Sequence, residues 1–377
     1  MDLRRNEQMT ESKPNIGRRA AIKTGVTLAT ASSISGAKPT QAEERAITAP
    51  DSITAAKGEA FASASDSNPL EAKIMAFTTV SPDVDASIAF YRDIIGMTLL
   101  SDESLPIGFS TAPGIGNGGR RHALLTMPES AFAQTVRILE APPGADAIRP
   151  RPDSSPNDPG LLVLEGGTRD PAESYHALAS AGMQMISPPR YYYFRNTMWG
   201  TDVDSMSYAP FGPGGEQMFI TASIRSDQKL VRSVGIHNGF GSSSITTLDQ
   251  RPVNAFFEQA FGLKRTSQME CYQDNVCELV GSPPGTYFLW GNVGVGVGIE
   301  VWEIKAESGT VYPCSLDKTG LAMLTMRVND LAKCRALCAD AGIKPVGEGA
   351  MPNPTNERPD GFTLRGAVGE LYEVVQA

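Results

Sequence analysis

Glu140, Glu303 and Glu373 are the residues best placed to do repeated chemistry in this chain. They sit in three stretches that read as versions of one strand, Arg137-Ile-Leu-Glu140-Ala141, Glu300-Val-Trp-Glu303-Ile304 and Glu370-Leu-Tyr-Glu373-Val374. Each stretch closes a unit of roughly 55 to 70 residues, and a carboxylate recurring in a repeated unit marks a duplicated metal site or a duplicated fold. Ligating capacity elsewhere is small. Of the histidines, His122 follows Arg120-Arg121 at a strand start and His176 follows Tyr175 in a helix, so both read as structural; His237 lies in the glycine-rich run Gly235-Ile-His-Asn-Gly-Phe-Gly241. All five cysteines fall in the C-terminal half. Cys334 and Cys338 share a helix face, but no second Cys or His pair accompanies them, which favours a core role over zinc. Cys271 and Cys277 could pair across a hairpin in an oxidising compartment.

The elements that must position these groups repeat as well. Lys73 to Val80 is a β-branched and aromatic run stopped by Ser81-Pro82, and Asp83 can cap a helix over Val84 to Ile95 that Gly96 ends. Strand-like pieces follow at Met97 to Ser101, His122 to Met127 and Thr135 to Glu140, giving the order β, α, β, β, β. A third unit repeats the helix, with Phe256-Phe257-Glu-Gln-Ala-Phe261-Gly262 standing where the first has Phe90-Tyr91-Arg-Asp-Ile-Ile95-Gly96. The fourth has a strand over Leu321 to Val328, a capping pair Asn329-Asp330, and a helix from Leu331 to Ala341 ended by Gly342. The second has Leu161 to Leu164, a helix over Ala172 to Ala181 ended by Gly182, and a last strand from Gln217 to Thr221. Four modules are expected.

Val80-Ser-Pro-Asp-Val-Asp-Ala-Ser-Ile-Ala-Phe-Tyr-Arg-Asp-Ile-Ile-Gly96 and Gly369-Glu-Leu-Tyr-Glu373 resemble the vicinal oxygen chelate superfamily, which includes glyoxalase I, bleomycin resistance proteins and extradiol dioxygenases. The resemblance covers about residues 72 to 376. It implies an α+β fold, four βαβββ modules paired into two glyoxalase-like domains, each with sheets curled around a cleft. Residues 71–226 would form the N-terminal domain and 231–377 the C-terminal one.

The resemblance also implies where a metal would sit: His, Gln or Glu on the first strand of a module and Glu on the last. The last-strand position is read as Glu140, Phe219, Glu303 and Glu373, and the first-strand position as Met75, Leu161, Gly241 and Met323. The N-terminal pair is then too poor in ligands. The C-terminal pair keeps Glu303 and Glu373, and a bulge in the glycine-rich run would bring His237 into register. His237, Glu303 and Glu373 are therefore the candidate ligands for one Mn, Fe, Ni or Zn ion, with Glu303 and Glu373 the catalytic candidates. In the other reading His237 caps a turn, the glutamates are solvated, and no metal is bound. Met323 in place of a second histidine disfavours extradiol ring cleavage.

One aromatic patch suits a ligand, Tyr191-Tyr192-Tyr193-Phe194-Arg195-Asn196-Thr-Met-Trp199. Strand alternation sends Tyr191 and Tyr193 to one face and Tyr192 and Phe194 to the other, so one pair packs in the core. Tyr191, Tyr193 and Trp199 are the substrate-binding candidates, for an apolar or aromatic molecule bearing oxygens. The run Gly294-Val-Gly-Val-Gly298 leads into a strand, which fails the context that a dinucleotide loop needs.

Gly17-Arg18-Arg19-Ala-Ala-Ile22-Lys23 resembles a twin-arginine export signal, with small-residue cleavage sites after Ala37 and Ala42. Residues 1–42 are read as that signal, engaging the twin-arginine machinery, and 43–70 as a leader. The apolar stretch Thr24 to Ala37 is too short to span a bilayer. The net charge is −9, and the first 42 residues carry a positive excess, so the remainder is more acidic still. Nucleic acid and anionic membranes, which need clustered Lys and Arg, are excluded as partners. The sequence points to a periplasmic or extracellular protein acting on a small oxygen-bearing organic molecule. Two classes stay open: a divalent-metal lyase, isomerase or oxygenase, and a metal-free protein that binds or sequesters its ligand.

Overall fold

Four aspartates set the frame of the molecule. Asp83, Asp170, Asp249 and Asp330 each stand in extended backbone at the start of a helix, and each carboxylate accepts a backbone N–H of the first turn. Satisfying those otherwise orphaned donors fixes where each strand ends and each helix begins. Glycines in left-handed backbone close the helices of the first and third modules, Gly96 at φ 89° and Gly262 at φ 69°, a conformation any side chain would strain.

The computed structural model describes residues 61–63, 65–108, 110–127, 134–150, 155, 158–195, 202–224, 235–305, 309–353 and 359–377. The export signal, the leader through residue 60 and Trp199 lie outside the described residues. Module one comprises β1 (Lys73–Ser81), α1 (Val84–Ala89) continuing into a π-helical turn (Phe90–Ile94), β2 (Thr98–Ser104), β3 (Arg121–Thr126) and β4 (Thr135–Glu140). Module two comprises β5 (Gly160–Thr168), α2 (Pro171–Ser180), β6 (Met185–Phe194), β7 (Val203–Pro210) and β8 (Gln217–Ser223). Module three comprises β9 (His237–Thr247), α3 (Gln250–Phe261), β10 (Arg265–Cys271), a short α4 (Asp274–Leu279), β11 (Phe288–Val293) and β12 (Ile299–Ile304). Module four comprises β13 (Gly320–Val328), α5 (Leu331–Asp340), β14 (Gly347–Glu348), β15 (Gly361–Arg365) and β16 (Leu371–Gln376).

The modules build an α+β fold of two eight-stranded sheets, ordered β14-β15-β16-β13-β1-β4-β3-β2 and β10-β11-β12-β9-β5-β8-β7-β6. In each module the first strand runs parallel to the last, and two modules join through antiparallel first strands: β1 with β13, and β5 with β9. Module one therefore shares a sheet with module four, and module two with module three. The expected pairing of neighbouring modules, with a boundary between residues 226 and 231, is corrected: that boundary cuts across both sheets. The β1–β13 pair joins residues more than two hundred positions apart in the chain, and its residues Phe77, Leu324 and Met326 are all buried, so the cost of closing that loop is met by apolar burial.

α3 and α5 pack on one another, whereas the short α4 packs beside the cleft, Val276 and Cys277 joining the buried cluster of Tyr192, Trp290 and Trp302. Phe256, Phe257 and Phe261 of α3 surround Tyr372 of β16, the first stacked at 5.4 Å between ring centroids. Cys334 and Cys338 of α5 are buried against Ala260, their thiols directed at its carbonyl oxygen. All five cysteines are free and buried, so the suggested Cys271–Cys277 disulfide is absent. No helix among the described residues is long and apolar enough to cross a membrane.

Candidate functional site

Counting back five residues from each capping aspartate reaches Thr78, Glu165, Ser244 and Thr325. Their partners on the parallel last strands are Arg137, Phe219, Glu300 and Glu373. The first sheet thus presents Thr78, Arg137, Thr325 and Glu373 at its centre, and the second presents Glu165, Phe219, Ser244 and Glu300. Each set has one corner per strand around the join of two modules.

In the first sheet the four corners are closed on one another. The Arg137 guanidinium donates through Nη1 to Glu373 Oε2 at 3.1 Å, Thr325 Oγ1 at 3.3 Å and Thr78 Oγ1 at 3.4 Å. Thr325 donates to the same carboxylate oxygen at 2.8 Å, and the Met351 N–H donates to Glu373 Oε1 at 2.6 Å. Nη2 of Arg137 donates to the carbonyl of Pro352 at 3.2 Å. Arg137 is 1% exposed and Glu373 fully buried. The Met351-Pro352 segment lies over the cluster, and the pair is a buried, charge-assisted structural bond.

The second sheet opens instead into a cleft of about 320 Å³, lined by Glu165, Gly166, Gly167, Tyr192, Val203, Ser205, Phe219, Thr221, Ser242, Trp290, Glu300 and Trp302. Glu165 and Glu300 are half-buried in its wall and are joined by Ser244, whose hydroxyl contacts Oε1 of Glu165 and, at 3.4 Å, Oε2 of Glu300. Ser242 donates to Glu165 at 2.8 Å, and the indole N–H of Trp302 donates to Glu300 at 3.2 Å. A serine hydroxyl has one proton and can donate to only one of two carboxylates. The arrangement is complete when the other carboxyl carries a proton of its own and donates back. Consistently, burial pushes the Glu300 carboxyl well above the ordinary range and the nearby Glu165 charge pushes it further; burial also raises Glu165. The two carboxyls influence one another's ionisation, each holding its proton more tightly than a free glutamate.

The expected site residues do not assemble. Glu303 is on the opposite face of β12 from Glu300, where its Oε2 accepts the Gln250 N–H at 3.0 Å at the start of α3 and its Oε1 pairs with Lys305. Glu373 belongs to the other sheet. His237, 2% exposed, hydrogen-bonds Ser174 through Nε2 at 2.6 Å, and Ser174 in turn contacts the Tyr208 hydroxyl. Burial lowers the His237 pKa to about 4, which describes a neutral core histidine. The candidate metal set His237, Glu303 and Glu373 is therefore dispersed over three places. Glu140 accepts the Arg121 N–H at the end of β4. Tyr191 is exposed and Tyr193 donates to Asp202 at 2.8 Å, whereas Tyr192 lines the cleft with its hydroxyl 3.0 Å from Ser207. The ring of that patch that reaches the cleft is Tyr192, because alternation turns its neighbours away.

Neither corner set fits a divalent cation. A guanidinium already stands among the first set, and a fixed positive charge repels an ion there. In the second, a phenyl ring occupies one corner and a neutral hydroxyl, a weak ligand, another. No group of three or more His, Cys, Asp and Glu able to hold a metal occurs among the described residues.

Residues 73–205 match the Glyoxalase/Bleomycin resistance protein/Dioxygenase superfamily. Among solved structures, a glutamate-to-glutamine mutant of glyoxalase I from Zea mays aligns with a TM-score of 0.52 at 14% identity, over 81% of this chain and 94% of that one. A valine-to-glutamate mutant of the same enzyme aligns with a TM-score of 0.50 at 13% identity, over 81% and 92%. At these identities the likeness is one of fold. No curated protein matches the chain.

Proposed function

We propose that this chain, which carries a domain of the Glyoxalase/Bleomycin resistance protein/Dioxygenase superfamily, is a metal-free small-molecule binding protein whose working site is the cleft of the second sheet. The observation that carries this reading is the Glu165–Ser244–Glu300 link set in a cleft walled by Tyr192, Phe219, Trp290 and Trp302. Aromatic rings supply apolar contact area, and a few convergent polar groups fix orientation, which is the usual composition of a ligand site. Its size is that of a small organic molecule, near the lower end of the ~300–1,000 Å³ range. The test is quenching of tryptophan fluorescence by small aromatic probes, with Phe219→Trp as a cleft-filling variant. Loss of quenching in that variant supports the site; unchanged quenching places binding elsewhere.

A second reading is favoured by the raised carboxyl pair. A carboxylic acid and a carboxylate held together can give a proton to one atom of a bound oxygen compound and take one from another, as a lyase or isomerase requires. Solvent-deuterium exchange into a bound hydroxy-ketone would reveal it, and its absence with bound ligand would leave binding alone.

We also propose that the precursor is exported by the twin-arginine route to the periplasm or beyond, on the strength of Arg18-Arg19 before an apolar stretch. Replacing both arginines by lysine should retain the protein inside the cell; export unchanged would reject this.

A further inference from the structure

We infer that the ligand of the second cleft is an organic monocation, an ammonium or guanidinium group on an apolar or aromatic body. This rests on the cleft being the working site.

The first sheet shows what its sister lacks. Glu300 and Glu373 occupy equivalent positions, each the last-strand partner of the residue five before a capping aspartate. At Glu373 the fold supplies a cation of its own, the Arg137 guanidinium 3.1 Å away. The position equivalent to Arg137 in the second sheet is Phe219, and where the first sheet is filled by a guanidinium and the Met351-Pro352 segment the second has an open cleft. The second sheet also adds a carboxylate, Glu165, where the first has Thr78. No Lys, Arg or His is among the residues lining this cleft, and neither Glu165 nor Glu300 forms an ion pair among the described residues. An ionised carboxylate here has no cation from the protein to pair with, and an uncompensated charge withdrawn from water is unfavourable. A single positive charge delivered by a ligand would balance it.

The walls suit the same class. Trp290 and Trp302 lie with ring centroids 4.6 Å apart at 39°, and Phe194 meets Trp290 edge-on at 6.5 Å, holding the indoles in place. Aromatic rings around a carboxylate recognise organic cations through the negative ring face and the charge together. A singly charged ammonium, and still more a weakly hydrated guanidinium, gives up its water more readily than a small divalent ion.

The test compares four probes of similar shape on the mature protein by calorimetry and tryptophan fluorescence: 2-phenylethylammonium, phenylguanidinium, neutral 2-phenylethanol and anionic 3-phenylpropionate, with Mn²⁺ alone as a fifth. The cations are expected to bind about tenfold or more tighter than the alcohol, with a preference that collapses in Glu165→Gln and Glu300→Gln. Phe219→Arg, which copies the first sheet, should abolish cation binding; the glutamine variants decide the matter if that protein does not fold. Equal binding of alcohol and cation overturns the inference and leaves the cleft as the site. No binding by any probe overturns both. Stoichiometric Mn²⁺ lost in Glu165→Gln overturns the inference in favour of a metal centre.

Discussion

Arg137 Nη1 and Glu373 Oε2 lie 3.1 Å apart in the fully buried centre of the first sheet, on two strands separated by more than two hundred residues of chain. The guanidinium bridges two threonines and the carboxylate at once. A buried pair of this kind is weak as a source of net stability and severe when half of it is removed.

Arg137→Met should accordingly lower the unfolding free energy by about 3–5 kcal/mol, since it leaves Glu373 buried without its partner. Arg137→Met combined with Glu373→Leu should regain most of that loss. Urea denaturation of the four proteins gives the coupling directly; additive losses would show that the pair does not act as a unit.

The histidines set the acid limb of stability. Burial lowers His122 to about 4, with the Arg137 charge adding to the effect. A histidine depressed in the folded state contributes stability above its unfolded value near 6.5 and loses it as pH falls from there toward 4. His122→Leu gives up only a long contact, Nδ1 to the Glu103 carbonyl at 3.4 Å, and Nε2 has no hydrogen-bond partner among the described residues, so it sacrifices little at pH 7. At pH 5 it should exceed the wild type by on the order of 2 kcal/mol, read from thermal or urea unfolding; a variant that loses stability equally at both values would refute this.

The carboxyl pair works in the opposite sense. Glu165 and Glu300 are raised in the folded protein, so their contribution is present at low pH and is lost as pH climbs through their folded values. Glu165→Gln and Glu300→Gln should flatten that limb and be more stable than the wild type at pH 8 to 9, where stability is compared by differential scanning fluorimetry. An unchanged alkaline limb would mean that the two carboxyls are not raised in the folded protein.

Metal content is expected to be substoichiometric in protein purified without chelator, and dialysis against EDTA should leave the unfolding temperature unmoved. Elemental analysis of wild type beside Glu373→Ala checks this. One equivalent of Mn, Fe, Ni or Zn that disappears in the variant would restore a metal role to the first sheet.

The modules, their helices and their order were legible because the signals are local: Asp83 and Asp330 before apolar helices, Gly96, Gly182 and Gly342 after them, β-branched runs between. What went astray was register across long distances. The repeated Glu-x-x-Glu stretch offers Glu300 and Glu303 alike, but only Glu300 faces the cleft, because a shift of three on a strand turns a side chain to the other face. The capping aspartates would have corrected it, since five residues back from Asp249 is Ser244, whose parallel partner is Glu300. Alternation separates Tyr192 from Tyr191 and Tyr193 but gives two faces without saying which is covered. The pairing of module one with module four left no local mark at all, because β1 and β13 meet only in the folded chain.

That nested order also dictates a sequence of events at the ribosome. Modules two and three are neighbours in the chain and can complete their sheet as soon as β12 emerges. β1, made first, must wait for β13 with its backbone edge open, and an unpaired apolar strand of this kind invites association with other chains. A chain stopped after module three would carry a completed second sheet beside an unfinished first one, and its fate would be aggregation through the open edge.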